Sequence, residues 1–162
     1  MLEVEIVRLK AMYVATFYGF GESPEQVAWD KLLAWAKPRA LLDDPEAHPI
    51  YGHNNPPPSD GNTKYGYELL MKVDPGTEPE GDTRIELFYG GLYAVTRCTL
   101  ANIHRTWMDL YKWAEGKGYT HTCTPGLEKT LISIEDMTDP SAFMMELYLS
   151  IAERQEQAGA RK

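Results

Sequence analysis

The chain has 162 residues, enough for one domain with a buried core, and carries a net charge of −8. That charge, with no basic cluster beyond the terminal Arg161-Lys162, argues against direct nucleic-acid binding. Two cysteines without a CxxC motif, and the lack of any apolar run of signal-peptide or membrane-spanning length, lead to the expectation of a cytoplasmic protein that neither enters a membrane nor relies on disulfides.

Residues 4–18 alternate loosely and are rich in Val, Ile, Met and Tyr, which predicts a strand broken by Gly19-Phe20-Gly21. Ser23-Pro24-Glu25-Gln26 then reads as a helix start, with Ser23 as N-cap, Pro24 at the first helical position and Gln26 closing a capping box. The helix should run to about Lys37, its apolar face being Trp29, Leu32, Leu33 and Ala36. Residues 43–63 are rich in Pro, Asn and Gly and read as loop, with a short strand at Ile50-Tyr51-Gly52. Tyr65 to Val73 is the next strand. Strict alternation groups Glu68 with Gly66, Leu70 and Lys72, and puts Tyr67, Leu69 and Met71 on the other face. Tyr65 would join Glu68 only through an irregularity at Gly66.

An acidic linker rich in Pro and Gly covers 74–83. Arg84 to Thr99 reads as a strand pair or a bent strand, interrupted at Gly90-Gly91. A helix follows over about 102–115, with Trp107, Leu110, Tyr111 and Ala114 facing inward. A strand lies around Leu127–Ile132, another spans Phe143–Ile151, and a polar tail ends the chain.

The two halves repeat. Met12–Thr16 lies over Leu92–Thr96 at an offset of 80, which pairs Tyr13 with Tyr93. Trp29, Leu32 and Trp35 lie over Trp107, Leu110 and Trp113 at 78, as Tyr67-Glu68-Leu69 lies over Met145-Glu146-Leu147. This predicts an α+β fold of two β-α-β-β copies, about 4–73 and 84–152. Their strands would form one antiparallel sheet with both helices on one face and a ligand cleft on the pseudo-twofold axis.

The repeat also selects the candidate site. Glu146 shares a strand face with Met144, Tyr148 and Ser150, apolar or aromatic company that suits a pocket acid better than a solvated one. Glu68 follows the same logic. Trp35 and Trp113 sit at the flanks of their helices, where they could cap a cleft. His121-x-Cys123 resembles half a metal site, but His48, His53 and His104 stand at no recognisable spacing from it, so neither metal nor cofactor is expected.

Taken together, Tyr51-Gly52-His53-Asn54-Asn55-Pro56, Tyr65-Gly66-Tyr67-Glu68, Phe88–Val95, the Trp-x5-Trp helices and the closing Glu146-Leu147-Tyr148-Leu149 resemble the GyrI-like, or AraC-type effector-binding, domain. The resemblance covers about residues 4–152 and implies duplicated SHS2-like units. It further implies an aromatic cleft that binds hydrophobic or cationic small molecules, with the family's pocket acid falling on Glu146 and a second acid on Glu68. Adding Tyr51, Tyr65, Tyr67, Tyr93, Tyr148, Met144, Trp35 and Trp113 completes the candidate ligand-binding set.

Three readings follow. In the first, the protein is a stand-alone effector- or drug-binding module, with no DNA-binding domain expected in a chain of this length. In the second, it hydrolyses cyclopropane-bearing or similarly strained electrophiles with Glu146 as general acid or base. In the third, it docks on a DNA-processing enzyme through its acidic surface. The sequence leaves the oligomeric state open.

Overall fold

In the computed structural model, residues 2–131 and 137–153 are described. The elements in chain order are β1 (Glu5–Leu9), β2 (Met12–Gly21), α1 (Pro24–Ala36), β3 (Ile50–Asn54), β4 (Tyr65–Lys72), β5 (Arg84–Phe88), β6 (Gly91–Thr99), α2 (Ile103–Gly116), β7 (Tyr119–His121), β8 (Leu127–Thr130) and β9 (Met144–Glu153). The class is α+β, and the strand pairings among the described residues are antiparallel. The end of the strand expected to reach Ile132, and the polar tail after Glu153, lie outside the described residues.

The chain divides into two compact units. A first-half unit holds Lys10–Gly90 and Leu127–Thr130, and a second-half unit holds the residues up to Leu9, Gly91–Gly126 and the residues from Leu131 on. In the first, β2 pairs with β4 and β5, and β3 pairs with β4 and β8. In the second, β6 pairs with β1 and β9, and β7 pairs with β9.

The stretch expected as one strand over 4–18 is therefore two. β1 pairs with β6, whereas β5, which precedes β6 in the chain, pairs with β2. Each repeat thus contributes its opening strand to the unit built from the other repeat. Nor does β2 stop at Gly19. A Cβ there would lie 2.2 Å from the Pro24 carbonyl oxygen, so this glycine lets the start of α1 approach the strand closely.

Both helices pack one face onto strands. In α1, Ala28, Trp29, Leu32, Trp35 and Ala36 are buried; in α2, Thr106, Leu110 and Ala114 are. The capping box does not form. Ser23 is the N-cap residue but makes no side-chain cap bond, and Gln26 donates instead to Asp30, one turn on, at 2.8 Å. The core of the second-half unit gathers Ala94, Leu110, Ala114, Met145, Leu147 and Leu149. Leu147 and Leu149 alternate with Glu146 and Tyr148, as the period-two reading of that strand requires.

The register refines the repeat. Tyr18 stands opposite Glu68, and Arg97 stands opposite Glu146. Glu68 and Glu146 are thus equivalent at the offset of 78, but Tyr18 and Arg97 are 79 apart. The burial patterns of β2 and β6 agree at that same offset of 79. The pairing of Tyr13 with Tyr93 is off by one residue, which in a strand reverses the face. Tyr93 is fully buried and matches Val14, while Tyr13 is 43% exposed.

Candidate functional site

The alternation of β4 distributes its polar groups over two faces. Gly19 faces α1, and its partner across the ladder is Tyr67, so Tyr65, Tyr67, Leu69 and Met71 lie on the helix side. Glu68 and Leu70 lie on the other side, with Tyr18 and Thr16 from β2 and with His53 and Tyr51 from β3. No irregularity occurs at Gly66. That glycine instead lets the Asn55 backbone close in: a Cβ on Gly66 would lie 1.9 Å from the Asn55 carbonyl, and Asn55 N–H donates to the Gly66 carbonyl at 2.8 Å.

On the helix side, two tyrosines meet two carboxylates. The Tyr65 hydroxyl donates to Oε1 of Glu25, in the first turn of α1, at 2.6 Å. The Tyr67 hydroxyl crosses above Gly52, where a Cβ would stand 2.1 Å from it, and donates to Oε2 of Glu128 at 3.2 Å. Glu128 is brought there by the pairing of Gly52 with Glu128 between β3 and β8. Burial, then the hydrogen bond and charge of Glu25, push the Tyr65 phenol up to about 12. Burial, then the charge and hydrogen bond of Glu128, hold Tyr67 well above the ordinary phenol range. Both phenols therefore remain neutral donors at physiological pH, in a negative local field.

On the opposite side, the two repeat-related acids are half-buried in cavities of their own. Glu68, its side chain 23% exposed, lies 3.4 Å from His53 Nε2. It lines a cavity of about 280 Å³ with Thr16, Tyr18, Lys31, Asp82, Arg84 and Glu86. Glu146, 16% exposed, pairs with Arg97 at 3.4 Å and accepts the Tyr148 hydroxyl at 3.2 Å. It lines a cavity of about 590 Å³ with residues of the segment 2–5 and with Val95, Thr96 and Arg97. The Tyr93 ring lies edge-on to Tyr148, with centroids 6.0 Å apart, and its buried hydroxyl has no hydrogen-bond partner among the described residues.

The remaining sequence candidates disperse. Met144 is exposed at the start of β9, and Tyr51 is buried on the Glu68 face beneath the Lys129 ammonium. Trp35 is buried against Phe17, with the Arg39 guanidinium 4.3 Å from its ring centre. Trp113 stacks on Tyr119. Both tryptophans thus serve the helix-to-strand packing of their units, on the side away from Glu68 and Glu146. Among the described residues, no group of three His, Cys, Asp or Glu is arranged to hold a metal ion.

Glu25 and Glu128 were not among the residues singled out from sequence. One signal pointed to Glu128: Gly52, a glycine inside a strand, marks a place where another group approaches closely. Nothing local marked Glu25, an acid in a first helical turn, where acids are common.

The family model described as the GyrI-like small molecule binding domain matches residues 2–152. The chain belongs to that family. No curated protein sequence matches it. Among solved structures, the C-terminal domain of EcmrR is similar, with a TM-score of 0.67 at 13% identity over 94% of this chain and 99% of that one. In the EcmrR–DNA complex, this chain covers 57% of the matched chain. A protein described as a hydrolase from Listeria innocua matches with a TM-score of 0.67 at 13% identity, over 93% of this chain and 92% of that one. SAV2435, solved bound to tetraphenylphosphonium, matches with a TM-score of 0.59 at 13% identity, over 93% and 94%. At these identities the likeness is one of fold. No helix among the described residues is long and apolar enough to cross a membrane.

Proposed function

We propose that this GyrI-like domain binds lipophilic cations, and that the paired Tyr65–Glu25 and Tyr67–Glu128 contacts form the polar part of its site. The observation that carries this reading is the joining of two aromatic rings to two carboxylates on one face of β4. Aromatic faces attract a cation through their quadrupoles and contribute apolar area, while fixed carboxylates supply the charge preference. The phenol hydroxyls orient the carboxylate oxygens without adding positive charge. A related fold solved with a phosphonium cation supports the choice of ligand class.

Calorimetric titration with tetraphenylphosphonium tests this. Low-micromolar binding is expected, about −8 kcal/mol. Glu128→Gln should weaken it roughly tenfold and leave a neutral ligand of similar shape nearly unaffected, because charge is removed while volume is kept. If Glu146→Gln weakens the cation selectively and Glu128→Gln does not, the site lies at Glu146. Absence of binding by any lipophilic cation would overturn the reading.

A second reading is hydrolysis of strained electrophiles. It draws on the half-buried Glu146 held by Tyr148, and on the hydrolase description of the Listeria innocua protein of similar fold. Its signature is a ring-opened product that disappears in Glu146→Gln while affinity persists.

A further inference from the structure

The outer edge of β5 is unpaired among the described residues, since β5 ends the strand order beyond β2. Around it lies an exposed apolar group: Tyr13 and Leu87, cross-strand partners each 43% exposed, and Tyr89, 83% exposed just after the strand. An open apolar edge of this kind is a template for another strand.

We propose that this edge pairs with the same edge of a second copy, giving a dimer in which β5 lies antiparallel to its twin about a two-fold axis at Ile85. The charge pattern of the strand selects this partner and this register. When a sheet continues across a two-fold axis, every side chain keeps its face, so only residues of the same alternation class can stand opposite each other. With the axis at Ile85, Arg84 of each copy faces Glu86 of the other, and two opposite-charge pairs form across the ladder. With the axis at Glu86, two carboxylates would meet head-on. With the axis at Leu87, each Glu86 would face Phe88 and no charges would pair.

The edge of β1 lacks this property. Its opposite charges, Glu5 and Arg8, are three residues apart and lie on opposite faces, so no symmetric register brings them together. Arg84 and Glu86 are both exposed and make no ion pair among the described residues. The apolar face of the same strand, Ile85 and Leu87, would continue across the axis and cover part of the exposed group. The short strand makes a small contact, so the dimer is weak and forms at raised concentration.

Sedimentation velocity across a concentration series reads this directly, with circular dichroism as a check that each variant folds. The wild-type protein should shift from monomer to dimer as concentration rises. Arg84→Glu should hold it monomeric, because it sets a carboxylate opposite Glu86 in both pairs. The double reversal R84E/E86R should restore the dimer, because it rebuilds both pairs with their signs exchanged. A monomer at all concentrations, a single reversal without effect, or a folded double reversal that stays monomeric would each overturn the proposal. So would growth beyond a dimer, which would point to open-ended joining of the β5 edge to the β1 edge.

Discussion

Glu68 and Glu146 hold the same place in their strands, and almost everything around them differs. Across the ladder, Glu68 faces Tyr18, whose hydroxyl is committed to the Asn55 carbonyl at 2.8 Å, while Glu146 faces Arg97. The first acid has a histidine from β3 beside it, and the second a tyrosine from its own strand. Charged side chains of both signs line each cavity, but the walls of the second also hold Leu2, Val4 and Val95. The cores, in contrast, repeat closely: Leu32 matches Leu110, and Ala36 matches Ala114, all buried. Packing tolerates little change of volume at such positions, so a duplicated fold keeps its core and diverges where side chains leave it. The tyrosine–carboxylate cluster is one such divergence. At the positions equivalent to Tyr65 and Tyr67, the second-half unit has Phe143 and Met145, which cannot donate a hydroxyl to an acid.

The largest test of this comparison is a matched pair of core truncations. Leu32→Ala and Leu110→Ala each remove a fully buried side chain. Each should cost about 3 kcal/mol in urea unfolding, with the two values within about 1 kcal/mol of each other. A cost at one site less than half that at the other would show that the two cores are not equivalent.

Glycine substitutions sharpen the contrast. Gly52→Ala drives a Cβ into the buried Tyr67 hydroxyl and should cost about 1–3 kcal/mol. It should also weaken tetraphenylphosphonium binding, by displacing the ring that orients Glu128. At Gly126 in the second-half unit, a Cβ would lie 2.7 Å from the Trp107 ring, which is only half-buried and can give way, and 3.2 Å from the Tyr148 carbonyl oxygen, which needs a shift of only a few tenths of an ångström. Gly126→Ala should therefore cost less than Gly52→Ala. Equal losses would mean that the Tyr67 cradle has no special rigidity.

The smallest effect is ionic. The phenol of Tyr65 ionises near pH 12 in the folded protein, above the ordinary phenol value of 10.0. Between those two values the unfolded chain releases this proton first, so stability from this group is full below about pH 10 and declines as pH rises towards 12. The difference in ultraviolet titration between wild type and Tyr65→Phe should show a step near pH 12. Glu25→Gln should move that step down, because it removes the negative charge that opposes ionisation. An unmoved step would assign the shift to burial and the charge of Glu128.

Much of this was legible in the order of residues. Alternation placed Glu68 opposite in sense to Tyr67 and separated Glu146 from Leu147, and helical spacing put Leu32 and Leu110 against their strands. These follow from backbone geometry that repeats every two or about 3.6 residues, so neighbouring positions suffice to reveal them. Tyr13 and Tyr93 share a residue type but not a position, since burial aligns Tyr93 with Val14 and in a strand one residue reverses the face. A wide aromatic at a helix flank can turn either way, so the ring contacts of Trp35 with Phe17 and of Trp113 with Tyr119 could not be read from helical spacing.

Other features could be decided only by the folded chain. The exchange of β1 and β5 between the repeats leaves no local mark, because either strand would alternate in the same way beside either partner. The bonds from Tyr65 to Glu25 and from Tyr67 to Glu128 join residues 40 and 61 positions apart. Their existence depends on which strands lie side by side and on the room left above Gly52. Sequence determined the periodic elements and the two acids that recur with them. Tertiary structure decided which hydroxyl reaches which carboxylate, because a hydrogen bond needs its two atoms within about 3 Å and chain separation says nothing about that distance.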